Sequence, residues 1–194
     1  MFSQPDSAFY FAQLQYELAE ATGNKKWMAD ALNTQGNSFH MHGNYDKALE
    51  YYEISLKIYE EIGDKKGMAK SYKNMGNIYK VHGNYAQALS YYQKSLQISE
   101  ETGDKKRAIA YNNIGLIYSA QGNYEKALKY HEKSLRIREE TGNKRGMASS
   151  YINIGLLSFN QGNYDKALEY YEISLKIYEE IGDKRGMAFS YNNM

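Results

Sequence analysis

Residues 72–95 read YKNMGNIYKVHGNYAQALSYYQKS, and this stretch decides the fold of the chain. Its Gly-Asn-Tyr triplet recurs at spacings of 40, 39 and 40 residues, and an Ala-Leu pair follows each copy. Self-similarity at a fixed period of about 20–50 residues is typical of repeat architectures, in which one supersecondary unit stacks on the next. The four triplets begin at Gly43, Gly83, Gly122 and Gly162.

Each period predicts two helices. Between Tyr45 and Ile62, apolar residues recur at helical spacing over a wide arc, which is typical of a helix buried against two neighbours. The second helix, over 66–81, carries a narrower stripe that includes a glycine at its centre, Gly76. A glycine inside a helix costs about 1 kcal/mol relative to alanine, so its recurrence predicts that two helices approach closely there.

Composition excludes several classes of function. The 194 residues carry 24 Lys+Arg against 23 Asp+Glu, which does not favour nucleic-acid binding because that requires a strongly basic face. The absence of cysteine excludes disulfides and thiolate metal sites but leaves the compartment open. The four histidines lack the spacing of metal ligands, so we predict no metal, no cofactor and no catalytic residue. No apolar stretch approaches the roughly 20 residues of a membrane-spanning segment.

The repeated pattern resembles the tetratricopeptide repeat (TPR) family. In that family an A helix carries an aromatic, an aliphatic, a glycine and an aromatic residue, and a B helix carries alanine, an aromatic and a small residue. Gln35 and Ser158 depart from the pattern. The period of about 40 residues resembles the long variants of kinesin light chains, Pins-type adaptors and bacterial sensory proteins. The residues of one copy are Tyr72, Met75, Gly76, Tyr79, Ala88, Tyr92 and Ser95.

The resemblance implies an all-α fold, a right-handed α-solenoid of antiparallel helix pairs, with A helices on the inner side and B helices on the outer side. It also implies the limits of each repeat. The predicted array begins with an unpaired B-type helix and ends with a short A-type helix. Its parts are residues 7–22 (B-type helix), 24–62, 64–102, 104–141 and 143–181 (repeats 1 to 4), and 183–194 (A-type helix).

The inner side of the A helices is the predicted binding site for an extended peptide. An asparagine ladder there (Asn74, Asn113, Asn153 and Asn193) offers amide groups to a peptide backbone, or recurs passively because the repeat was copied. Its neighbours change from polar to apolar along the chain. In one alternative, Phe159 instead packs inward and exchanges roles with Ser158. The neighbours are Lys70, Lys73, Asn77 and Lys80, then Ile109, Leu116, Leu156 and Phe159.

These features predict a non-enzymatic scaffold that binds a protein or peptide. One alternative is a sensory or regulatory part of a larger bacterial signalling protein with a nucleotide cyclase or histidine kinase. Another is an engineered repeat protein without a natural ligand, because residues 43–75 and 162–194 differ at only three positions. The unpaired helices at both ends also predict head-to-tail or swapped self-association, with the last A helix of one molecule against the first B helix of another.

Overall fold

The computed structural model describes residues 7–194, and these residues form ten α-helices joined by short turns. The all-α helical-repeat fold that the sequence predicts is therefore confirmed. B-type and A-type helices alternate along the chain, beginning with a B-type helix. The helices are α1 (Ser7–Ala21), α2 (Lys25–Met41), α3 (Tyr45–Ile62), α4 (Lys65–Val81), α5 (Tyr85–Glu101), α6 (Arg107–Ala120), α7 (Tyr124–Glu140), α8 (Lys144–Asn160), α9 (Tyr164–Glu180) and α10 (Lys184–Tyr191).

The helices divide into two compact units, unit 1 up to Gly103 and unit 2 from Asp104 to Met194. In unit 1, α2 packs on α3 and α4 on α5, while α1 lies against α2 and α2 contacts α4. In unit 2, α6 packs on α7 and α8 on α9, while α10 lies against α9 and α6 contacts α8. The A-type helices α2 and α4 of unit 1 therefore touch each other, as do α6 and α8 of unit 2.

The turns are built from a glycine and a capping side chain. Gly63 ends α3 in the left-handed conformation at φ 69°, where residues with a Cβ are strained. The next residue, Asp64, accepts a hydrogen bond from the Gly67 amide at 3.0 Å and so caps α4. Asp104 does not cap α6 in this way. Helix α6 begins at Arg107, two residues later in its repeat than α4 does, and Asp104 accepts a hydrogen bond from the Lys106 amide instead.

The mid-helix glycines allow A and B helices to approach closely, as the sequence predicts. A Cβ built on Gly76 would lie 2.7 Å from the ring of Tyr92, which is closer than real Cβ contacts. Tyr52 lies over Gly36 in the same way and is fully buried. The core of each unit forms around such aromatic residues, with Ala48, Met75 and Ile78 beside Tyr52 in unit 1.

Candidate protein-binding surface

Apart from the asparagine ladder, the predicted binding residues occupy one stripe of the A-type helices, which we call the A face. It is defined by the register of Lys70, Lys73, Asn77 and Lys80 in α4, a spacing that places the four on one stripe of the helix. In unit 1 the A face also includes Asp30, Asn33, Asn37 and His40, and in unit 2 it includes Ile109, Asn112, Leu116, Ser119, Ser149, Ile152, Leu156, Phe159, Phe189 and Asn192.

The asparagine ladder joins successive A helices in unit 1. Asn74 of α4 is only 5% exposed, and its amide donates to Oδ1 of Asn33 at 3.0 Å and of Asn37 at 3.1 Å, both in α2. Asn33 in turn donates to Oγ of Ser71 at 3.0 Å. Buried polar groups need hydrogen-bond partners, and this network supplies them. The expectation that Asn74 offers its amide to an open groove is therefore wrong.

Unit 2 repeats the pattern with fewer bonds. Asn153 of α8 is half-buried and donates to Oδ1 of Asn112 in α6 at 2.8 Å, across the same 41 residues that separate Asn33 from Asn74. Asn113 is buried, so the expectation that it lines an open groove is also wrong. Asn193 donates instead to the carbonyl of Phe189, and the residue 41 positions before it is the apolar Ile152. Sequence reasoning missed Asn33 and Asn112 as acceptors, and this 41-residue offset is the signal that could have identified them.

Tyrosine hydroxyls from the B helices donate to two asparagines of unit 1, one of which, Asn37, also accepts from Asn74. Tyr52 donates to Oδ1 of Asn37 at 2.8 Å, and Tyr92 donates to Oδ1 of Asn77 at 2.7 Å. Burial raises the pKa of both hydroxyls. In unit 2 the positions that correspond to Asn37 and Asn77 are occupied by Leu116 and Leu156.

Unit 2 also buries a histidine that has one ring nitrogen without a hydrogen bond. His131 takes the place of Tyr52 and Tyr92 and lies over Gly115, and its Nδ1 has no hydrogen bond. Burial, together with the charge of Arg138, lowers the pKa of His131 to about 4. Arg138 is itself mostly buried and donates to the carbonyl of Gly146 and to Oγ of Ser150, each at 2.7 Å. These groups lie in the helix interfaces of unit 2, where they have a structural role.

The A face of unit 1 carries positive charge. Lys70, Lys73 and Lys80 are half-buried along α4. Burial and the charge of Lys80 lower the pKa of His40 on the neighbouring helix. Asp30, the acidic residue of this face, accepts a hydrogen bond from the Tyr59 hydroxyl at 2.6 Å. The A face of unit 1 thus presents three cationic side chains along α4.

The A face of unit 2 is apolar and partly exposed. Phe159 is 51% exposed, and its ring meets that of Tyr164 edge-on with centroids 5.3 Å apart. Ser158 is buried and bonded to the carbonyl of Ile154, so Phe159 has not exchanged places with Ser158. Ile109 is exposed as well, whereas Leu116 and Leu156 are half-buried. Exposed apolar residues among polar neighbours are typical of an interaction surface.

Two near-identical segments differ mainly on the A face. Residues 43–75 and 162–194 have different residues at three positions: Lys66 against Arg185, Lys70 against Phe189, and Lys73 against Asn192. The last two pairs belong to the A face. The copies therefore keep their packing residues and change the chemistry that this face presents.

In the part of the chain that the structure covers, the titratable side chains that could catalyse a reaction or bind a metal ion do not come together at one place. Within residues 7–194 no three His, Asp or Glu side chains cluster closely enough to hold a metal ion. His42 and His82 each place Nδ1 against a carbonyl of their own helix, at Ser38 and Ile78. Over the same residues, none of the helices has the length and hydrophobicity needed to cross a membrane.

Comparison with solved structures supports the fold. BtubC from P. vanneervenii matches with a TM-score of 0.77 at 23% identity, over 91% of this chain and 76% of that one. Aspartyl phosphate phosphatase F from Bacillus subtilis matches with a TM-score of 0.83 at 17% identity, over 95% and 53%. A signal transduction ATPase with a tetratricopeptide repeat sensor, from Pyrococcus horikoshii, matches with a TM-score of 0.82 at 24% identity, over 95% and 29%.

The chain thus spans about half the length of the Bacillus protein and under a third of the Pyrococcus protein. At these identities the likeness shows the fold alone. No curated protein matches the chain. A model of the tetratricopeptide repeat matches residues 67–140 and 146–194, and a second such model matches residues 29–62. With most of its length matched by these models, the chain belongs to the tetratricopeptide repeat family.

Proposed function

We propose that this protein is a non-enzymatic scaffold that binds an extended segment of a partner protein along the A face of its helices. The tetratricopeptide fold is generally a protein-interaction scaffold without catalysis, and this is the coarse basis of the proposal. The observation that carries it further is the exposed apolar surface at Phe159 and Ile109, on helices whose opposite side is already packed. Because about half of the Phe159 side chain is exposed, covering it should gain about half of the roughly 1.5–3 kcal/mol that full burial of a phenylalanine gives.

The chemistry of the partner follows from the two units separately. Lys70, Lys73 and Lys80 favour acidic side chains, while Ile109, Leu116, Leu156 and Phe159 favour apolar ones. Asn77, Asn153 and Asn193 remain candidate contacts for a peptide backbone, because each is partly exposed. We assign Asn74 and Asn113 a supporting role, in which they position the A helices that carry these residues.

The near-identical segments provide the variants that test this proposal. Lys70→Phe with Lys73→Asn gives α4 the A-face residues of α10, and Lys66→Arg, the third difference, is the matched control. In a peptide-array screen followed by titration of the best binders, the double variant should lose at least tenfold affinity for acidic peptides. The control should bind as the wild type does, and all variants should keep the same helicity by circular dichroism.

The apolar half is tested by Phe159→Ser, because serine stands at the matching position of α6, Ser119. Peptides with apolar side chains should then bind at least tenfold more weakly, while acidic peptides bind unchanged. The proposed asparagine contacts are tested by Asn153→Ala, which should weaken the binding of both acidic and apolar peptides. If all of these variants keep the wild-type affinities, the A face is not the binding site.

A sensory role within a larger signalling protein is the alternative that one comparison favours. The Pyrococcus protein is described as an ATPase with a tetratricopeptide repeat sensor, and this chain spans 29% of it. In that case a cyclase, kinase or ATPase module would be encoded with these residues, and sequencing the gene around them decides the point. An engineered repeat protein would instead retain no peptide from the screen above the level of a scrambled control.

We also propose that the protein associates with itself through α1 and α10. Both helices expose several apolar side chains, among them Phe11 and Leu18 on α1 and Phe189 and Tyr191 on α10. Nucleic acid is not a proposed partner, because the net charge is +1 and the basic residues are balanced along the chain.

A further inference from the structure

The exposed residues of α1 include positions that face an A-type helix in each of the later repeats. Gly23 aligns with Gly63, so each residue of α1 corresponds to one 40 positions later. Phe11, which is 66% exposed, therefore matches Tyr51, and further along the chain Tyr91, Tyr130 and Tyr170. All four of those tyrosines are half-buried.

The tyrosines in this register pair with an aromatic residue of their own A helix. The ring centroids of Tyr91 and Tyr72 lie 6.2 Å apart in unit 1. In unit 2 the same pair recurs as Tyr130 with Tyr111 at 6.1 Å, and as Tyr170 with Tyr151 at 6.2 Å. The near-constant distance shows that this contact is a fixed part of how an A helix and a B helix meet. Aromatic pairs at such separations stabilise by about 0.5–1.5 kcal/mol beyond their burial.

The A-helix member of this aromatic pair, which α1 lacks, has its counterpart at the end of α10. Tyr191 is in the register of Tyr72, Tyr111 and Tyr151, and it is 57% exposed. Three residues later Met194, which is 46% exposed, is in the register of Met75, Ile114 and Ile154, which are all buried. An A-type helix without a covering B helix and a B-type helix with an exposed A-facing stripe thus carry complementary residues.

We infer that α10 of one molecule packs on α1 of a second molecule as an A helix packs on its B helix, with Tyr191 against Phe11. This inference rests on the proposed self-association and names the residues of its interface, which we call the joint. The joint would cover Tyr191 and Met194 from one copy and Phe11 and Leu18 from the other. Because the two surfaces differ, the contact is heterologous, so each molecule keeps a free end of each kind and chains of copies can grow.

The joint lacks the ion pairs that accompany the interior pairs. Lys25, Lys65 and Lys144 at the start of an A helix bind Glu61, Glu101 and Glu180 at the end of the following B helix. In the joint Lys184 takes the place of these lysines, and Ala21 takes the place of the glutamates. The association is therefore apolar, and added salt, which screens ion pairs, should not weaken it.

The test is sedimentation of the full chain with one substitution in each half of the joint. Phe11→Glu and Tyr191→Glu both alter side chains that are more than half exposed, so each variant should fold. Tyr164→Glu is the matched control, because Tyr164 is 63% exposed and lies outside the joint. Analytical ultracentrifugation from 1 to about 200 µM, in low and in high salt, gives the distribution of species.

The wild type and Tyr164→Glu should form larger species as concentration rises, equally in low and high salt. Phe11→Glu alone and Tyr191→Glu alone should each be monomeric. Their equimolar mixture should form a 1:1 dimer and nothing larger, because the intact α10 of the first variant binds the intact α1 of the second. A mixture that stays monomeric, or single variants that associate as the wild type does, would overturn the inferred joint.

The remaining outcomes separate the joint from self-association itself. If Tyr191→Glu forms dimers and Phe11→Glu does not, two copies pair through α1, and the joint is wrong while self-association stands. If the wild type sediments as a monomer throughout, both proposals fail. Peptide binding by the A face is measured on the monomeric variants, so neither result affects it.

Discussion

Residues 43–75 and 162–194 have almost the same sequence, yet they meet different surroundings. Met75 is 2% exposed, whereas its counterpart Met194 is 46% exposed. Tyr72 is half-buried beside Tyr91, whereas Tyr191 is exposed. Asn74 joins two helices, whereas Asn193 bonds to its own backbone. Burial and hydrogen bonding at these sites are thus set by the neighbouring helix, since the residues themselves are identical.

The largest difference is expected at the methionines. Met75→Ala removes a fully packed side chain and should lower the free energy of unfolding by about 3 kcal/mol. Met194→Ala removes a side chain that water already reaches, so its cost should stay below about 0.5 kcal/mol. Urea denaturation of dilute protein, followed by circular dichroism, measures both. Equal costs would show that α10 is covered in solution.

A smaller effect, of about 2 kcal/mol between pH 7 and pH 5, is expected where a histidine replaces the buried tyrosine of both segments. The pKa of His131 is about 4 in the folded protein and about 6.5 in the unfolded chain. The unfolded chain therefore binds the proton first as the pH falls, and stability decreases from about pH 6.5 down to about pH 4.

His131→Tyr should remove this pH dependence. Tyr171 shows that a tyrosine fits the slot in unit 2, since it is buried over Gly155 with Leu156 in the position of an asparagine. Parallel profiles for the wild type and His131→Tyr would show that His131 is not buried as a neutral ring.

The asparagines should differ by about 1–2 kcal/mol. Asn74→Ala leaves the side-chain oxygens of Asn33 and Asn37 without their shared donor at a buried interface. Asn193→Ala removes only a bond to the backbone at the end of α10 and should cost a few tenths of a kcal/mol. Thermal unfolding of the two single variants measures this difference. If Asn74→Ala does not lower the stability, water molecules supply the hydrogen bonds that the oxygens of Asn33 and Asn37 lose.

The sequence was sufficient to predict the helices and their alternation, because periodic apolar residues, glycines and capping residues act locally. Gly76 shows this: its place inside a helix predicted the contact with Tyr92. It was also sufficient to distinguish the polar A face of unit 1 from the apolar one of unit 2. The exposure of Phe159 agrees with that distinction.

The role of the asparagine ladder could not be predicted from one repeat at a time. Whether Asn74 faces solvent or a neighbour depends on what stands 41 residues earlier, and that relation crosses from one A helix to the previous one. Asn74 of α4 bonds to Asn33 and is buried, while Asn193 has Ile152 at the position 41 residues earlier and is half-buried. Contacts between repeats, more than those within them, decide the site.

The smallest expected difference lies at one further identical pair, Tyr59 and Tyr178. Tyr59 donates to the carboxylate of Asp30 at 2.6 Å, and burial together with Asp30 raises the pKa of its hydroxyl. Tyr178 meets the hydroxyl of Ser149 at 3.1 Å. Bonds to a charged acceptor are stronger than neutral ones, so Tyr59→Phe should cost about 1 kcal/mol and Tyr178→Phe about 0.5 kcal/mol.

A double-mutant cycle sharpens that comparison, because Asp30→Ser gives unit 1 the partner that unit 2 has. In the Asp30→Ser background, Tyr59→Phe should cost no more than Tyr178→Phe does in the wild type. The free energies come from urea titrations of the four proteins of the cycle. If Tyr59→Phe costs the same with and without Asp30, the stronger bond makes no contribution. The difference between the segments would then reflect packing of the ring alone.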